Sequence, residues 1–176
     1  MHSLLNKTVV LIVASQGYQA TEYEVPKKIL SDAGVKVVTA SNKPGVAGEG
    51  RTSTIVDLTV REINPQAYDG FFIIGGPGAL ANLDNQDTHR VMQEAVKNKK
   101  LIGAICISPR ILAHAGLLTG KRVAGWNTDG ALPGILAGIG ATFVNEKVVV
   151  DGMIITASGP MAAAEFGKAI VEKLKG

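Results

Sequence analysis

Short runs of consecutive apolar, β-branched residues alternate along the chain with segments whose apolar positions recur every three or four residues. After the polar stretch Asn6-Lys7-Thr8, Val9 to Ala14 is unbroken by any polar residue. Such a run predicts a strand covered on both faces, because a strand with one wet face alternates. Ser15-Gln16-Gly17-Tyr18 supplies turn residues. Glu22, Val25, Ile29, Leu30 and Ala33 then fall at helical spacing until Gly34 stops the helix, and Val35 to Ala40 is the next strand. Residues 42 to 70 show no helical period and contain Gly45, Gly48, Gly50 and Pro65, which predicts a loop-rich crossing with one short strand near Thr54 to Leu58.

The alternation resumes with a strand over Phe71 to Ile74, the turn Gly75-Gly76-Pro77-Gly78, and a helix carrying Val91, Met92, Ala95 and Val96. A strand from Leu101 to Ile105 runs into Cys106, and Ile111, Leu112 and Ala115 place a helix that ends near Gly116. Further strands are expected at Arg122 to Trp126, Ala141 to Val144, Lys147 to Val150 and Met153 to Ala157, with a small helix at Ala131 to Leu136 and a last one from Pro160 to Leu174. Asp151-Gly152 between the final two strands predicts a hairpin closed by a type I′ turn. The class that follows is α/β: a mostly parallel sheet sandwiched by helices, with right-handed crossovers and one small hairpin.

A length of 176 residues suits one core, so residues 1–176 are read as a single domain. Apolar residues at 46% against 19% charged exclude a disordered chain. The formal charge of +3 is small, and aromatics are 5%, too few for base-stacking platforms, so no nucleic-acid partner is expected. Val9 to Ala14 is far too short to span a bilayer and no cleavage pattern follows it; no membrane association and a cytoplasmic location are the default. One cysteine, Cys106, excludes an intrachain disulfide and a multi-thiolate metal site. Neither a metal nor a cofactor is expected.

Cys106 sits where a buried strand meets a helix, with Ala104 two residues before it and Ser108 two after. Small residues at those positions permit the sharp turn of a nucleophile elbow, which lifts a reactive atom into a cleft at the carboxyl end of the sheet. A helix N-terminus beneath the thiol is expected to lower its pKa. The competing reading is a small buried hydrophobe at a strand end. Gly75-Gly76-Pro77-Gly78 follows another buried strand and belongs on the same sheet edge, where its backbone N–H groups and that of Ile107 can hold an oxyanion. Gly76, Gly78 and Ala81 also match G-x-G-x-x-A, but this is not the first strand-to-helix turn and Pro77 removes a donor, so dinucleotide binding is disfavoured. Of the three histidines, His114 lies about 12 Å along its helix from Cys106 and is read as a packed or capping residue, His89 as part of a solvated face and His2 as part of the terminus.

With Glu22 four residues before Pro26, Ile74-Gly75-Gly76-Pro77-Gly78, Ala104-Ile105-Cys106 with Pro109, and Thr156-Ala157-Ser158-Gly159-Pro160 followed by Glu165-Phe166, the chain resembles the ThiJ/PfpI superfamily over nearly its whole length. That group contains the parkinsonism-associated deglycase and the PfpI intracellular proteases. The resemblance implies a flavodoxin-like, class I glutamine amidotransferase-like fold and a homodimer or higher homo-oligomer. It also implies a catalytic pair of Cys106 and Glu22, with the Glu22 carboxyl hydrogen-bonded to the sulfur. Gly75 and Gly76, with Ile107, would line the oxyanion site, and Trp126, Asn127 and Ser158 are candidate pocket residues. Spacing alone would equally make Glu22 an exposed first-turn charge, and Trp126 an ordinary core or interface aromatic. The implied activity is conversion of small reactive carbonyls or their adducts; redox sensing or a chaperone-like role through Cys106 oxidation is the alternative. Ile107 stands where the protease-like and glyoxalase-like branches have a histidine, and on that ground peptidase activity is disfavoured.

Overall fold

The computed structural model describes residues 4–49 and 51–176; His2 lies outside them. The apolar runs become β1 (Thr8–Val13), β2 (Lys36–Ser41), β6 (Gly70–Ile73), β7 (Leu101–Ile105) and β11 (Ile154–Ala157). Joined by the short β5 (Leu58–Thr59) and by β10 (Val148–Asp151), they form a seven-stranded sheet in the order β10-β11-β7-β6-β1-β2-β5. Every pairing is parallel except β10 with β11. Val9 to Val13, Phe71 to Ile73 and Ile102, Ala104 and Ile105 have no exposed surface, which is why these strands read as uninterrupted apolar runs.

The helices are α1 (Ala20–Asp32), α2 (Ala79–Leu83), α3 (Gln86–Lys97), α4 (Pro109–His114), α5 (Leu132–Ala137) and α6 (Ala163–Lys175). Packing of α1 against α6, and of α3 against α4, makes the two layers flanking the sheet. The chain leaves central β1 toward β2, then returns to the other side of β1 as β6 and continues to β7 and β11. The strand order therefore reverses between β1 and β6, and a cleft opens at their carboxyl ends.

Four expectations change. The stretch from 42 to 70 contains an antiparallel hairpin, β3 (Gly45–Glu49) with β4 (Thr52–Val56). Its glycines obscure the alternation, and part of its support is a long-range bond from Gly48 N–H to the Ser15 carbonyl, 2.9 Å. The strand expected at Thr54 to Leu58 is split at Asp57, whose N–H donates to the Thr39 carbonyl while its carboxylate accepts from Thr39 N–H. The chain thereby passes from the hairpin to the sheet edge. In the second hairpin Asp151 pairs with Ile154, so the two loop residues are Gly152 and Met153. Only Gly152 has positive φ (62°), which fits a glycine-first type II′ turn rather than type I′. Asp151 is drawn into the strand by accepting from Arg122 N–H (3.0 Å) and pairing with Lys121 (3.2 Å). The strands expected at 122–126 and 141–144 shrink to β8 (Arg122–Val123) and β9 (Thr142–Phe143), paired only with each other. Trp126 thus stands in a loop.

Candidate active site

Cys106 follows β7 with φ of 64°, a left-handed conformation that a side-chain-bearing residue adopts only under strong constraint. The constraints are visible. Cys106 N–H donates to the Ala157 carbonyl (2.9 Å), and the Cys106 carbonyl accepts from Trp126 N–H (2.7 Å). Ser108, fully buried, donates its hydroxyl to the Ile74 carbonyl at 2.8 Å and ties the elbow to the end of β6. Ser108→Ala removes that donor from a buried acceptor and is expected to cost about 1–3 kcal/mol in urea unfolding; unchanged stability would show that the tie contributes nothing. The smallness of residue 108 was legible in the sequence, but its hydrogen bond was not.

Glu22 enters from the first turn of α1. Gln19 caps that helix by accepting the Glu22 N–H at 2.8 Å. Pro26, inside the same helix, has no N–H to donate to the Glu22 carbonyl. The Glu22 side chain has no exposed surface; its Oε2 accepts from Gly75 N–H at 2.9 Å, and Oε1 is buried without a partner in hydrogen-bond geometry. The carboxyl lies against the Cys106 thiol. Burial pushes its pKa up to about 7, opposed by the bonds from Cys106 and Gly75. The exposed first-turn position that spacing allowed is thereby excluded.

The expectation of a lowered thiol pKa is overturned. Burial above all, then the negative charge of Glu22 and its hydrogen bond, push the Cys106 thiol up to about 12. N–H groups of Ile107 and Gly76 donate to the sulfur and pull the other way without prevailing. The helix beneath is only six residues long, too short to add a substantial dipole. Glu22 and Cys106 therefore titrate as a coupled pair, both held toward their protonated forms by burial.

Gly75 departs from its expected role, because its N–H is occupied by Glu22 and does not serve an oxyanion. The absent Cβ is what it contributes, since one placed there would lie 2.5 Å from Glu22 Oε2 and 2.6 Å from Cys106 Cβ. Gly76, with φ of 119°, and Ile107 remain as the N–H pair beside the sulfur.

Cys106 opens onto a cavity of about 470 Å³ whose polar lining is Gln19 and Glu22, with the Gly76 backbone. Pro77, Leu80, Ile107, Trp126 and Pro160 supply an apolar wall. Trp126 is where the pocket reading placed it. Asn127 and Ser158 are not in the lining: Asn127 Oδ1 accepts from Leu132 N–H (3.0 Å) at the start of α5, and Ser158 N–H donates to the Lys147 carbonyl (2.9 Å). Gln19, Pro77, Leu80 and Pro160 were missed. Only Gln19 left a signal, its three-residue spacing before Glu22, which is that of a helix cap. His114 lies away from the sulfur, as expected, with Nδ1 2.6 Å from Asp84 Oδ2; His89, expected on a wet face, instead meets Asp84 Oδ1 at 2.7 Å and is only partly exposed. No group of three or more metal-ligating side chains is found, and no helix is long and apolar enough to cross a membrane, both among the described residues.

A parallel α/β sheet with a strained cysteine at a strand-to-helix elbow and a buried glutamate across the switch point defines a class of cysteine-elbow proteins. Within that class the DJ-1/PfpI family profile matches residues 7–173, and the chain belongs to this family. It is 29% identical to a deglycase of Pyrococcus abyssi over 170 residues, covering 94% of this chain and 99% of that protein. It is 26% identical to a glutathione-independent glyoxalase of Caenorhabditis elegans, covering 97% and 90%. The crystal structure of a ThiJ/PfpI domain protein from Brachyspira murdochii superposes with a TM-score of 0.88 at 28% identity, covering 96% of each chain.

Proposed function

We propose that this chain is a cysteine-dependent enzyme that converts small reactive carbonyl compounds, in the manner of a glyoxalase or deglycase, with Cys106 as nucleophile and Glu22 as proton carrier. The observation that carries this reading is the solvent-excluded Glu22 carboxyl, with a pKa near 7, against the thiol at the floor of an apolar cavity. A thiol that stays protonated to about 12 needs a base at the moment of attack, and a carboxylate poised near neutrality suits that task. The names of the Pyrococcus and Caenorhabditis relatives support the same chemistry.

With an α-oxoaldehyde the steps balance without an external oxidant. Sulfur adds to the aldehyde carbon while the thiol proton passes through Glu22 to the new alkoxide, which the Gly76 and Ile107 N–H groups stabilise. Glu22 then removes the aldehyde hydrogen as a proton and returns it to the ketone carbon, while the hydroxyl proton on the former aldehyde oxygen passes to the ketone oxygen. The aldehyde carbon becomes a thioester, hence oxidised, and the ketone carbon becomes an alcohol, hence reduced. Water cleaves the thioester, releasing a 2-hydroxy acid and the free thiol. Ile107 carries no proton-accepting group, which weighs against peptide hydrolysis; the raised thiol pKa weighs against redox sensing, which needs the thiolate.

Purified protein given methylglyoxal without glutathione is expected to yield lactate, and Cys106→Ala is expected to reduce the output to the uncatalysed level. Equal lactate from both proteins would end the proposal.

A further inference from the structure

Arg110, in the second position of α4, is a cation with only 8% of its surface exposed. An unpaired guanidinium so deeply buried is costly, so its partners show what it is held for. Its Nη2 donates to both carboxylate oxygens of Asp129, at 2.8 and 2.9 Å. Its central carbon lies over the Trp126 ring, 5.5 Å from the centroid. Its Nε is buried without a partner, so the charge is not fully served by hydrogen bonds and the indole face completes its environment. Arg110 does not line the cavity, whereas Trp126 does.

Trp126 sits outside any strand, in the loop between β8 and α5. Its N–H is tied to the Cys106 carbonyl, and Asp129, three residues on, is tied to Arg110. The loop is thus fastened at both ends to the elbow and the helix that follows it, with the indole between. Among the described residues that line the cavity the ionisable groups are Glu22 and Cys106, and none is a cation. A substrate carrying a carboxylate or phosphate therefore finds no counter-charge there, and the wall that Trp126 shares with Pro77, Leu80 and Pro160 favours an uncharged apolar substituent.

We propose that Arg110 is a positioning residue: clamped by Asp129, it stacks on Trp126 and holds the indole as the cavity wall that selects carbonyl compounds with an apolar substituent. This inference rests on the carbonyl-converting reading for its substrate class, but the clamp itself is testable without turnover.

The lone thiol reports selectivity directly. At one pH, alkylation of Cys106 by iodoacetanilide and by iodoacetamide is compared with the same ratio for N-acetylcysteine. The wild type is expected to favour the aryl reagent by about tenfold over the free thiol. In Arg110→Met, which keeps the apolar stem, and in Asp129→Asn, which changes an exposed clamp residue, the ratio should fall toward that of the free thiol. Emission from the chain's one tryptophan should shift to the red in both variants and become more open to acrylamide quenching. Arg110→Lys, which keeps charge but not the planar face, should not restore the ratio. In parallel, the kcat/KM preference for isobutylglyoxal over glyoxal should drop about tenfold in Arg110→Met. A wild-type alkylation ratio equal to that of the free thiol, or unchanged ratio and emission in Asp129→Asn with native circular dichroism, would overturn the proposal. Failure of the wild type to convert either oxoaldehyde would overturn the carbonyl-converting reading, while the alkylation ratio and emission would still decide the role of Arg110.

Discussion

Glu22→Gln is expected to lower oxoaldehyde conversion by about 10²- to 10⁴-fold and to erase its rise with pH through neutrality. Glutamine keeps an oxygen for Gly75 N–H but cannot accept the thiol proton, so the sulfur, which burial still holds toward the neutral form, must lose it unaided. In the wild type the base form of Glu22 grows as pH passes about 7, and kcat/KM should climb across the same interval. The same substitution has a signature in stability. Because the folded-state pKa is raised from 4.5 to about 7, the folded protein binds this proton more tightly than the unfolded chain. The stabilisation is complete below about pH 4.5 and is lost as pH rises through about 7, a span of about 3 kcal/mol. Urea unfolding at pH 4.5 and pH 8 should show this loss in the wild type and not in Glu22→Gln. Parallel pH profiles of rate and stability in the two proteins would mean that Glu22 neither titrates near neutrality nor carries the proton.

Gly75→Ala is expected to be a severely damaging single-methyl change at the site, destabilising by about 3 kcal/mol or more. The new Cβ would meet Glu22 Oε2 at 2.5 Å, Cys106 Cβ at 2.6 Å and the Ile105 carbonyl at 2.9 Å. None of the three retreats easily. Ile105 and Cys106 belong to a strand end and a strained elbow, and Glu22 has no exposed surface and is held by Gly75 N–H. If the variant folds, displaced Glu22 should leave Cys106 without its base, so activity should be lost along with stability. Wild-type stability with wild-type thiol reactivity would show that the elbow has slack the distances deny.

The central strands and the elbow were legible because their causes are local. Val9 to Val13 and Leu101 to Ile105 are apolar throughout since both sheet faces are covered, and Ala104 and Ser108 are small because a sharp turn leaves no room. The resemblance to ThiJ/PfpI proteins, now a family membership, put Glu22 and Cys106 in one place, which spacing alone left open. The hairpin over 45–56 was not legible, since its glycines hide the alternation and Gly48 is anchored by the distant Ser15. Asn127, next to Trp126 in sequence, turns its side-chain oxygen to Leu132 N–H instead, and no local pattern announces a side-chain direction.

Local chemistry thus suffices for the central strands and the main helices between them, the sharp turn at Cys106 and the carboxyl end of the sheet as the place of the cleft, because hydrophobic period and glycine placement act over a few residues at a time. The proton economy of the site belongs to the folded whole. Glu22 is held by Gly75, 53 residues further along the chain; burial of each group raises both acids, and the Glu22 charge adds to the rise at the thiol, outweighing the backbone donors that argue for a thiolate. Desolvation depends on everything packed around a group, and charge interactions on distance in space, so neither is written in the neighbouring sequence.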